Sequence, residues 1–219
     1  MRNLYKSKLM LAIAGTVLGT PALSQDLFRS TNTTVHSYSY VEVQYLVDSD
    51  ASPPLLAALL LDVSSRLSVR AEYLNQDYFV GANPEINRPE SNQDVQELSI
   101  GGLYHQPFSR MKQLDWIAGF MLGRGEVNIE LPTQRFNGTL EYDFQELYAG
   151  IRRTLASKLE VEALLNFRRQ DELTLDTVTT VITGDAKLVY RAFDKVDVAL
   201  AINEIGDGDQ FGIGLRYTW

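Results

Sequence analysis

The sequence predicts an all-β fold, a closed antiparallel up-and-down transmembrane β-barrel of ten strands, and three observations predict it. Seven segments alternate apolar and polar residues with a period of two, the period of a strand. In each of them one face is free of charge while the other mixes acids, bases and glycines. No stretch beyond residue 24 has the roughly 18 uncharged apolar residues that mark a membrane helix.

The N-terminus reads as a secretory signal. Arg2, Lys6 and Lys8 precede the apolar run Leu9 to Leu18, and small residues follow around Ala22-Leu23-Ser24. Cleavage is expected after Ser24, which leaves Gln25 to Trp219 as one domain. The apolar run is about half the roughly 20 residues a membrane anchor would need. Losing three positive charges takes the formal net charge from −8 to −11. Such an acidic chain without a Lys/Arg patch has no means of gathering phosphates, which excludes nucleic acid as a partner. With no cysteine, an exported protein has neither a disulfide framework nor a thiolate metal site.

Strands are expected, in order, over 36–47, 54–62, 65–75, 94–106, 113–130, 139–154, 158–170, 178–192, 195–205 and 210–219. The second is the irregular one. Pro53-Pro54-Leu55-Leu56-Ala57-Ala58-Leu59-Leu60-Leu61 does not alternate and could equally begin a short helix. Parity argues for a strand, because a barrel in lipid has no open edge and bacterial single-chain barrels use an even strand number. The alternative is eight strands, with this segment and Tyr38 to Val47 both outside the barrel.

The remaining strands rest on alternation. Leu67, Val69, Ala71 and Tyr73 oppose Arg66, Ser68, Arg70 and Glu72, and Leu98, Ile100, Gly102 and Tyr104 oppose Glu97, Ser99 and His105. Leu114, Trp116, Ala118, Phe120 and Leu122 oppose Asp115 and Gly119. The apolar parity then switches before Val127, and again between Phe144 and Leu147. The hairpin over 113–154 is therefore expected to extend past the bilayer or to carry bulges. Leu159, Val161, Ala163, Leu165 and Phe167 oppose Glu160, Glu162, Asn166 and Arg168. Ile182, Gly184, Ala186, Leu188 and Tyr190 oppose Asp185, Lys187 and Arg191. Val196, Val198, Leu200 and Ile202 oppose Asp197 and Asn203, and Phe211, Ile213, Leu215, Tyr217 and Trp219 oppose Gly212, Gly214, Arg216 and Thr218. Tight turns at Asp62 to Ser65, Pro107 to Lys112, Thr154 to Lys158 and Ala192 to Lys195 alternate with longer polar connections, the longest being Asn75 to Asp94. Short turns face the periplasm in such barrels and long loops face outward.

Alternation alone does not say which face points inward, since a soluble lipid-carrying barrel would be apolar inside. The signal, the aromatic ends of the clean faces and the charge on the other face decide for a membrane. Placing Arg66, Arg70, Glu72, Glu160, Glu162, Arg168, Asp185, Lys187, Arg191 and Arg216 around a dry core would be prohibitive, whereas in a membrane-barrel lumen they can pair or meet water.

On these residues, and on the C-terminal run Phe211-Gly212-Ile213-Gly214-Leu215-Arg216-Tyr217-Thr218-Trp219, the chain resembles the small outer-membrane β-barrel proteins. That broad group includes the outer-membrane protein A domain and its porin-like relatives. The resemblance implies location in the outer membrane. It also implies that Phe211, Ile213, Leu215, Tyr217 and Trp219 form a signal for the barrel-assembly machinery, with Trp219 where Phe is commoner.

No cofactor is expected and the protein is read as a non-enzyme. A lipid A-modifying hydrolase would need a nucleophile and base at the lipid-facing outer rim, whereas His36 and His105, the two histidines, fall near the periplasmic ends of strands. Asp48, Asp50, Glu85, Glu90, Asp94, Asp171, Glu172, Asp176, Glu204, Asp207 and Asp209 fall in or beside outer loops and suit hard cations. The tightest cluster, Gly206-Asp207-Gly208-Asp209, is better read as a hairpin turn than a metal site. Lumen charges Glu42, Arg70, Glu72, Glu97, Glu160, Glu162, Arg168, Asp185, Lys187 and Arg191 alternate in sign, so they are expected to pair in a narrow, largely filled interior. The leading expectation is a monomeric structural or interaction barrel with at most weak pore activity. Its acidic outer loops would contact outer-membrane lipid and lipopolysaccharide or an external partner. The lipid A hydrolase and a soluble exported lipid-binding barrel are the alternatives.

Overall fold

A computed structural model describes residues 39–47, 55–80, 91–109, 111–131, 136–172, 177–205 and 210–219. The expected signal at 1–24 and His36 lie outside them. So do Asp48, Asp50, Glu85, Glu90, Asp176, Asp207 and Asp209.

Ten strands form the barrel: β1 (Tyr40–Val47), β2 (Leu55–Asp62), β3 (Leu67–Val80), β4 (Ser91–Phe108), β5 (Met111–Leu131), β6 (Phe136–Ala156), β7 (Leu159–Glu172), β8 (Thr177–Arg191), β9 (Val196–Ile205) and β10 (Gln210–Thr218). Each strand is hydrogen-bonded to its sequence neighbours, and β1 closes on β10 through Tyr40↔Thr218 to Val47↔Phe211. Closure satisfies every ladder without an edge, the condition for β structure in lipid. The eight-strand alternative is thereby set aside. β2 is a full member, paired with β1 from Tyr40↔Leu60 to Tyr45↔Leu55 and with β3 from Leu55↔Asn75 to Asp62↔Ser68.

β2 lacks alternation because both of its surroundings are apolar. Leu55, Leu59 and Leu61 point out, while Leu60 is buried on the lumen side with Tyr40, Leu103, Ile117, Met121, Tyr148 and Leu164. The same lumen cluster explains the unbroken apolar runs at Trp116-Ile117-Ala118 and Phe120-Met121-Leu122 in β5.

The parity switch in β5 and β6 has one of its two expected causes. The register runs without a slip from Leu114↔Arg153 to Leu131↔Phe136, so no bulge interrupts it. The two strands of 21 residues each outrun the roughly 9 to 11 residues needed to cross a bilayer. From Leu122 onward the outward positions become Arg124, Glu126, Asn128 and Glu130, and the partner strand presents Glu141, Asp143 and Gln145. Outward polarity inverts where lipid gives way to water. At about 3.4 Å per residue and a tilt near 40°, Gly123 to Leu131 carries the hairpin roughly 20 Å beyond the belt. β3 and β4 are similarly extended, so much of the expected loop from Asn75 to Asp94 is paired strand, Asn75↔Gln96 to Val80↔Ser91.

Along this hairpin aromatic rings lie across glycines of the facing strand. Cβ atoms built on Gly119, Gly123 and Gly125 would come within 2.4, 2.2 and 2.1 Å of the rings of Tyr148, Phe144 and Tyr142. These are their direct register partners. Glycine is required here for close approach rather than for backbone conformation.

Candidate functional site: the barrel lumen and its two rims

The outer surface is an apolar belt. Val41, Val43 and Tyr45 of β1, Leu98 and Ile100 of β4, Phe120 and Leu122 of β5, Leu165 and Phe167 of β7, and Phe211, Ile213, Leu215, Tyr217 and Trp219 of β10 are all exposed. Along β10 the even positions Gln210, Gly212, Gly214 and Arg216 are buried. From Phe211 to Trp219 the belt is roughly 20 Å tall. A soluble carrier needs the reverse arrangement, polar outside and apolar within, so that alternative does not fit this barrel.

Inside, two walls differ. β2, β4 and β5 contribute Leu60, Leu103, Ile117 and Met121. β1, β6, β7, β8 and β10 contribute an ionic cluster of three acids and three bases, Glu42, Glu160 and Glu162 with Arg152, Lys187 and Arg216. The Glu42 carboxylate accepts hydrogen bonds from the Gln44 amide, from Lys187 Nζ at 2.8 Å and from Arg216 Nε at 2.6 Å. Arg152 donates to Glu162 and lies 3.4 Å from Glu160, which is 3.5 Å from Arg216 Nη1. The Arg216 guanidinium also sits 4.0 Å over the Tyr40 ring. Net charge in the cluster is zero, which is what allows it to be dry.

Together the two walls close the lumen. Every strand places a buried residue on the inside of the turn-side half: Glu42, Leu60, Ser68, Leu103, Ile117, Arg152, Glu162, Val189, Ala199 and Arg216. A water-filled pore would leave such side chains accessible. Glu42 and Arg152 are each 1% exposed, so the floor is solid at that level.

Above the floor lies a cavity of about 270 Å³, bordered by Arg70, Glu72, Glu97, Phe144, Glu146, Asn166, Arg168 and Asp185 among others. Arg70 pairs with Glu72 at 2.5 Å and lies over the Tyr148 ring. Arg168 of β7 reaches across the barrel to Glu97 of β4 at 2.5 Å and stacks 3.7 Å over Phe144, and Tyr142 donates to the same carboxylate. Asn166 donates to Asp185 at 2.8 Å. With Lys187–Glu42 joining β8 to β1 and Gln210–Gln76 joining β10 to β3 at 3.3 Å, the lumen is braced across at three heights.

Of the lumen charges expected from sequence, Glu42, Arg70, Glu72, Glu97, Glu160, Glu162, Arg168, Asp185, Lys187 and Arg216 line the interior. Arg66 must be corrected. It is the last residue of the exposed turn between β2 and β3, where the strand parity that pointed it inward no longer applies. Arg191 stands at the rim, half exposed, 3.5 Å from Asp197. Alternation missed Arg152, because it lies in a strand whose parity was obscured by the extension, and Glu146 for the same reason. His105 is buried near the turn-side end of β4, as expected. Of the outer acids, Asp171 pairs with Arg169 at 3.2 Å, Glu172 accepts from Thr177, and Asp94 accepts from Gln96. Among the described residues no three His, Asp or Glu side chains converge on a metal position.

A closed antiparallel barrel, apolar outside, polar and braced inside, with short turns at one end, defines the chain as an integral membrane β-barrel protein. No protein-family profile matches the sequence, and no curated protein matches it. Among solved structures it is similar to Neisserial surface protein A (8% identity over 82% of this chain and 94% of that one, TM-score 0.45). It is also similar to the KdgM porin (10%, 82% and 99%, 0.43) and to the attachment invasion locus protein of Yersinia pestis (10%, 83% and 97%, 0.38). At these values the assignment to a membrane rests on the barrel's own two faces.

Proposed function

We propose that this protein is a closed, non-enzymatic barrel of structural or interaction type, working at its outer end rather than through its lumen. The closed floor carries the reading, since ions have no wetted path past Glu42, Leu60, Ile117 and Arg152. Weak pore activity would need that cluster to rearrange. What remains for contact is the projecting end. There Asp77, Asp94, Glu126, Glu130, Glu141, Asp143 and Asp171 outnumber Arg124 and Arg169 on the outward face of the described strand extensions. Such a surface is suited to lipopolysaccharide through its bound divalent cations, or to a cationic external partner. Phe211, Ile213, Leu215, Tyr217 and Trp219 act as the signal for the assembly machinery, a reading supported by their exposure along the closing strand, and the protein acts as a monomer.

Planar bilayers free of lipopolysaccharide test the lumen. Purified protein is expected to show no steady conductance, and a large steady current would overturn the closed-floor reading. Flotation with lipopolysaccharide vesicles tests the outer end: binding that survives chelation of divalent cations would refute cation bridging.

A further inference from the structure

We propose that three of the short turns, those joining β2 to β3, β6 to β7 and β8 to β9, present bases that bind the phosphates of anionic phospholipids, of the phosphatidylglycerol type, in the leaflet on the turn side of the membrane. The first observation is where the bases stand. Arg66 ends the turn between β2 and β3, Lys158 sits in that between β6 and β7, and Lys195 ends that between β8 and β9. All of Arg66, Lys158 and Lys195 are exposed, and among the described residues none forms an ion pair.

The second observation is that their backbones are fixed. The carbonyls of Arg66, Lys158 and Lys195 accept hydrogen bonds from His105, Arg191 and Thr218 of the neighbouring strands, at 3.0, 2.8 and 2.9 Å. Each base is thus anchored at a set position on the circumference while its side chain stays free.

The third observation places these bases in the membrane interface. The same turns carry bare apolar side chains: Val63 is 64% exposed, and Phe193, at 73%, is the most exposed large hydrophobic residue of the described chain. Beside them on the strand ends stand Phe108, Tyr190, Tyr217 and Trp219. In water such turns would be costly. At the headgroup level their apolar members enter the acyl boundary, and Lys and Arg meet phosphates there. Two exposed acids, Asp62 and Asp194, stand at these turns beside the three bases, whereas acids outnumber bases on the outward face of the opposite end, so the excess of positive charge lies on the turn side.

The two tryptophans of the sequence, Trp116 and Trp219, both face outward at the turn-side end and report on the adjacent lipid. The full mature protein is reconstituted in phosphatidylcholine vesicles containing a minority of brominated phosphatidylglycerol. Quenching then gives the local phosphatidylglycerol fraction, with brominated phosphatidylcholine as the reciprocal control. One base at the headgroup level favours an adjacent anionic lipid by about fivefold. Enrichment of that order is expected, reduced by salt and abolished in Arg66→Gln/Lys158→Gln/Lys195→Gln. Lys158→Gln alone, in an exposed turn, is expected to lower it in part and serves if the triple variant does not fold. The paired change Arg124→Gln/Arg169→Gln at the other end should leave it unchanged. Wild-type quenching equal to the bulk fraction would overturn the proposal and leave an acidic polymer or protein as the partner of these bases. Enrichment unaltered by the triple and single changes would overturn the assignment to these bases. Neither outcome depends on the lumen being closed or on what the outer end binds.

Discussion

Replacing Glu42 by Gln removes one charge from the floor, keeps the volume and turns one of two acceptor oxygens into a donor that faces the donors around it. The wild-type carboxylate is 1% exposed and faces two cations at 2.8 and 2.6 Å. At an effective dielectric constant near 20, each contact contributes attraction on the order of 6 kcal/mol before desolvation is counted. Lys187 and Arg216 remain buried in the variant, Lys187 without its carboxylate and Arg216 with only the 3.5 Å contact to Glu160 that it shares with Arg152. The cluster changes from neutral to singly positive. Breaking a buried pair in this way costs about 3–5 kcal/mol net, and Glu160, already shared between Arg152 and Arg216, does not reach Lys187 to replace the lost carboxylate. With m-values of about 1–3 kcal/mol per molar urea, the unfolding midpoint in detergent micelles should fall by roughly 1–5 M at unchanged m. Water should also enter the floor to solvate the stranded cations, so intermittent conductance should appear in bilayers where the wild type is silent. A midpoint within experimental error of wild type, with no current, would mean that Glu42 is already hydrated and that the dry-floor reasoning fails.

Leu215, midway along the exposed face of β10, should not tolerate Arg. Leu215→Arg is expected to cost about 2–4 kcal/mol in lipid bilayers, read by urea titration, whereas near-neutrality would mean that this face does not meet acyl chains. Adjacent glycines should behave differently: a Cβ at Gly101 would lie 1.8 Å from the Phe120 carbonyl oxygen, but at Gly102 only 3.3 Å from a movable Phe120 ring atom. Gly101→Ala should therefore lose about 1–3 kcal/mol and Gly102→Ala little, compared by heat-modifiable gel migration across temperature. Trp219→Ala, which removes an exposed ring stacked on Tyr217, should lower the yield of folded barrel in cells while leaving refolding in detergent almost unchanged. Equal loss in both would assign Trp219 to stability rather than to assembly. Asp62→Ala, which removes the acceptor of the 2.7 Å bond from Ser68, should allow β2 to slip by two residues. In this chain without free cysteines, a cysteine at 57 would then cross-link less to one at 73, its native partner, and more to one at 71.

Most of the barrel was legible because lipid enforces a one-residue rule: wherever a strand crosses the acyl region, every second side chain must be apolar. β7, β9 and β10 obey it and are legible nearly to their ends, whereas β3 and β4 obey it within the belt and run on into the expected loop, β3 to Val80 and β4 from Ser91. Legibility failed where one of the two environments changed. Beyond Leu122 lipid becomes water, so Arg124 and Glu126 point outward and the alternation inverts with no break in pairing. Along β2 the lumen itself is apolar, so Leu56, Ala58 and Leu60 are indistinguishable in type from Leu55, Leu59 and Leu61. The site suffered likewise. Alternation gives a residue's face but not its height or partner, so nothing in the sequence matched Lys187 to Glu42, 145 positions away, or Arg168 to Glu97, 71 positions away.

The pairing of a charged wall with an apolar one follows from what fixes register. A lumen filled with leucine would pack as well and need no desolvation of ions, yet it would make both faces of every strand acceptable to lipid. A slip by one residue, which exchanges the two faces, would then meet little opposition. Charges on the inner face prevent this, since a one-residue slip of β7 would turn Glu160, Glu162 and Arg168 into the acyl region, at about 2–4 kcal/mol for the arginine alone. The ionic cluster lies on β1, β6, β7, β8 and β10, and the apolar wall on β2, β4 and β5 draws its register from Arg70 and Glu72 of β3, from Glu97 of β4 and from the long β5–β6 ladder. β2 alone has no inward charge among its strand residues except Asp62 at its end. The bond from Ser68 to Asp62, and the one from the Asp62 amide to Ser39, are thus the polar contacts that distinguish its correct register from its neighbours. The same ions that make the floor dry are therefore better understood as specifying the barrel than as strengthening it.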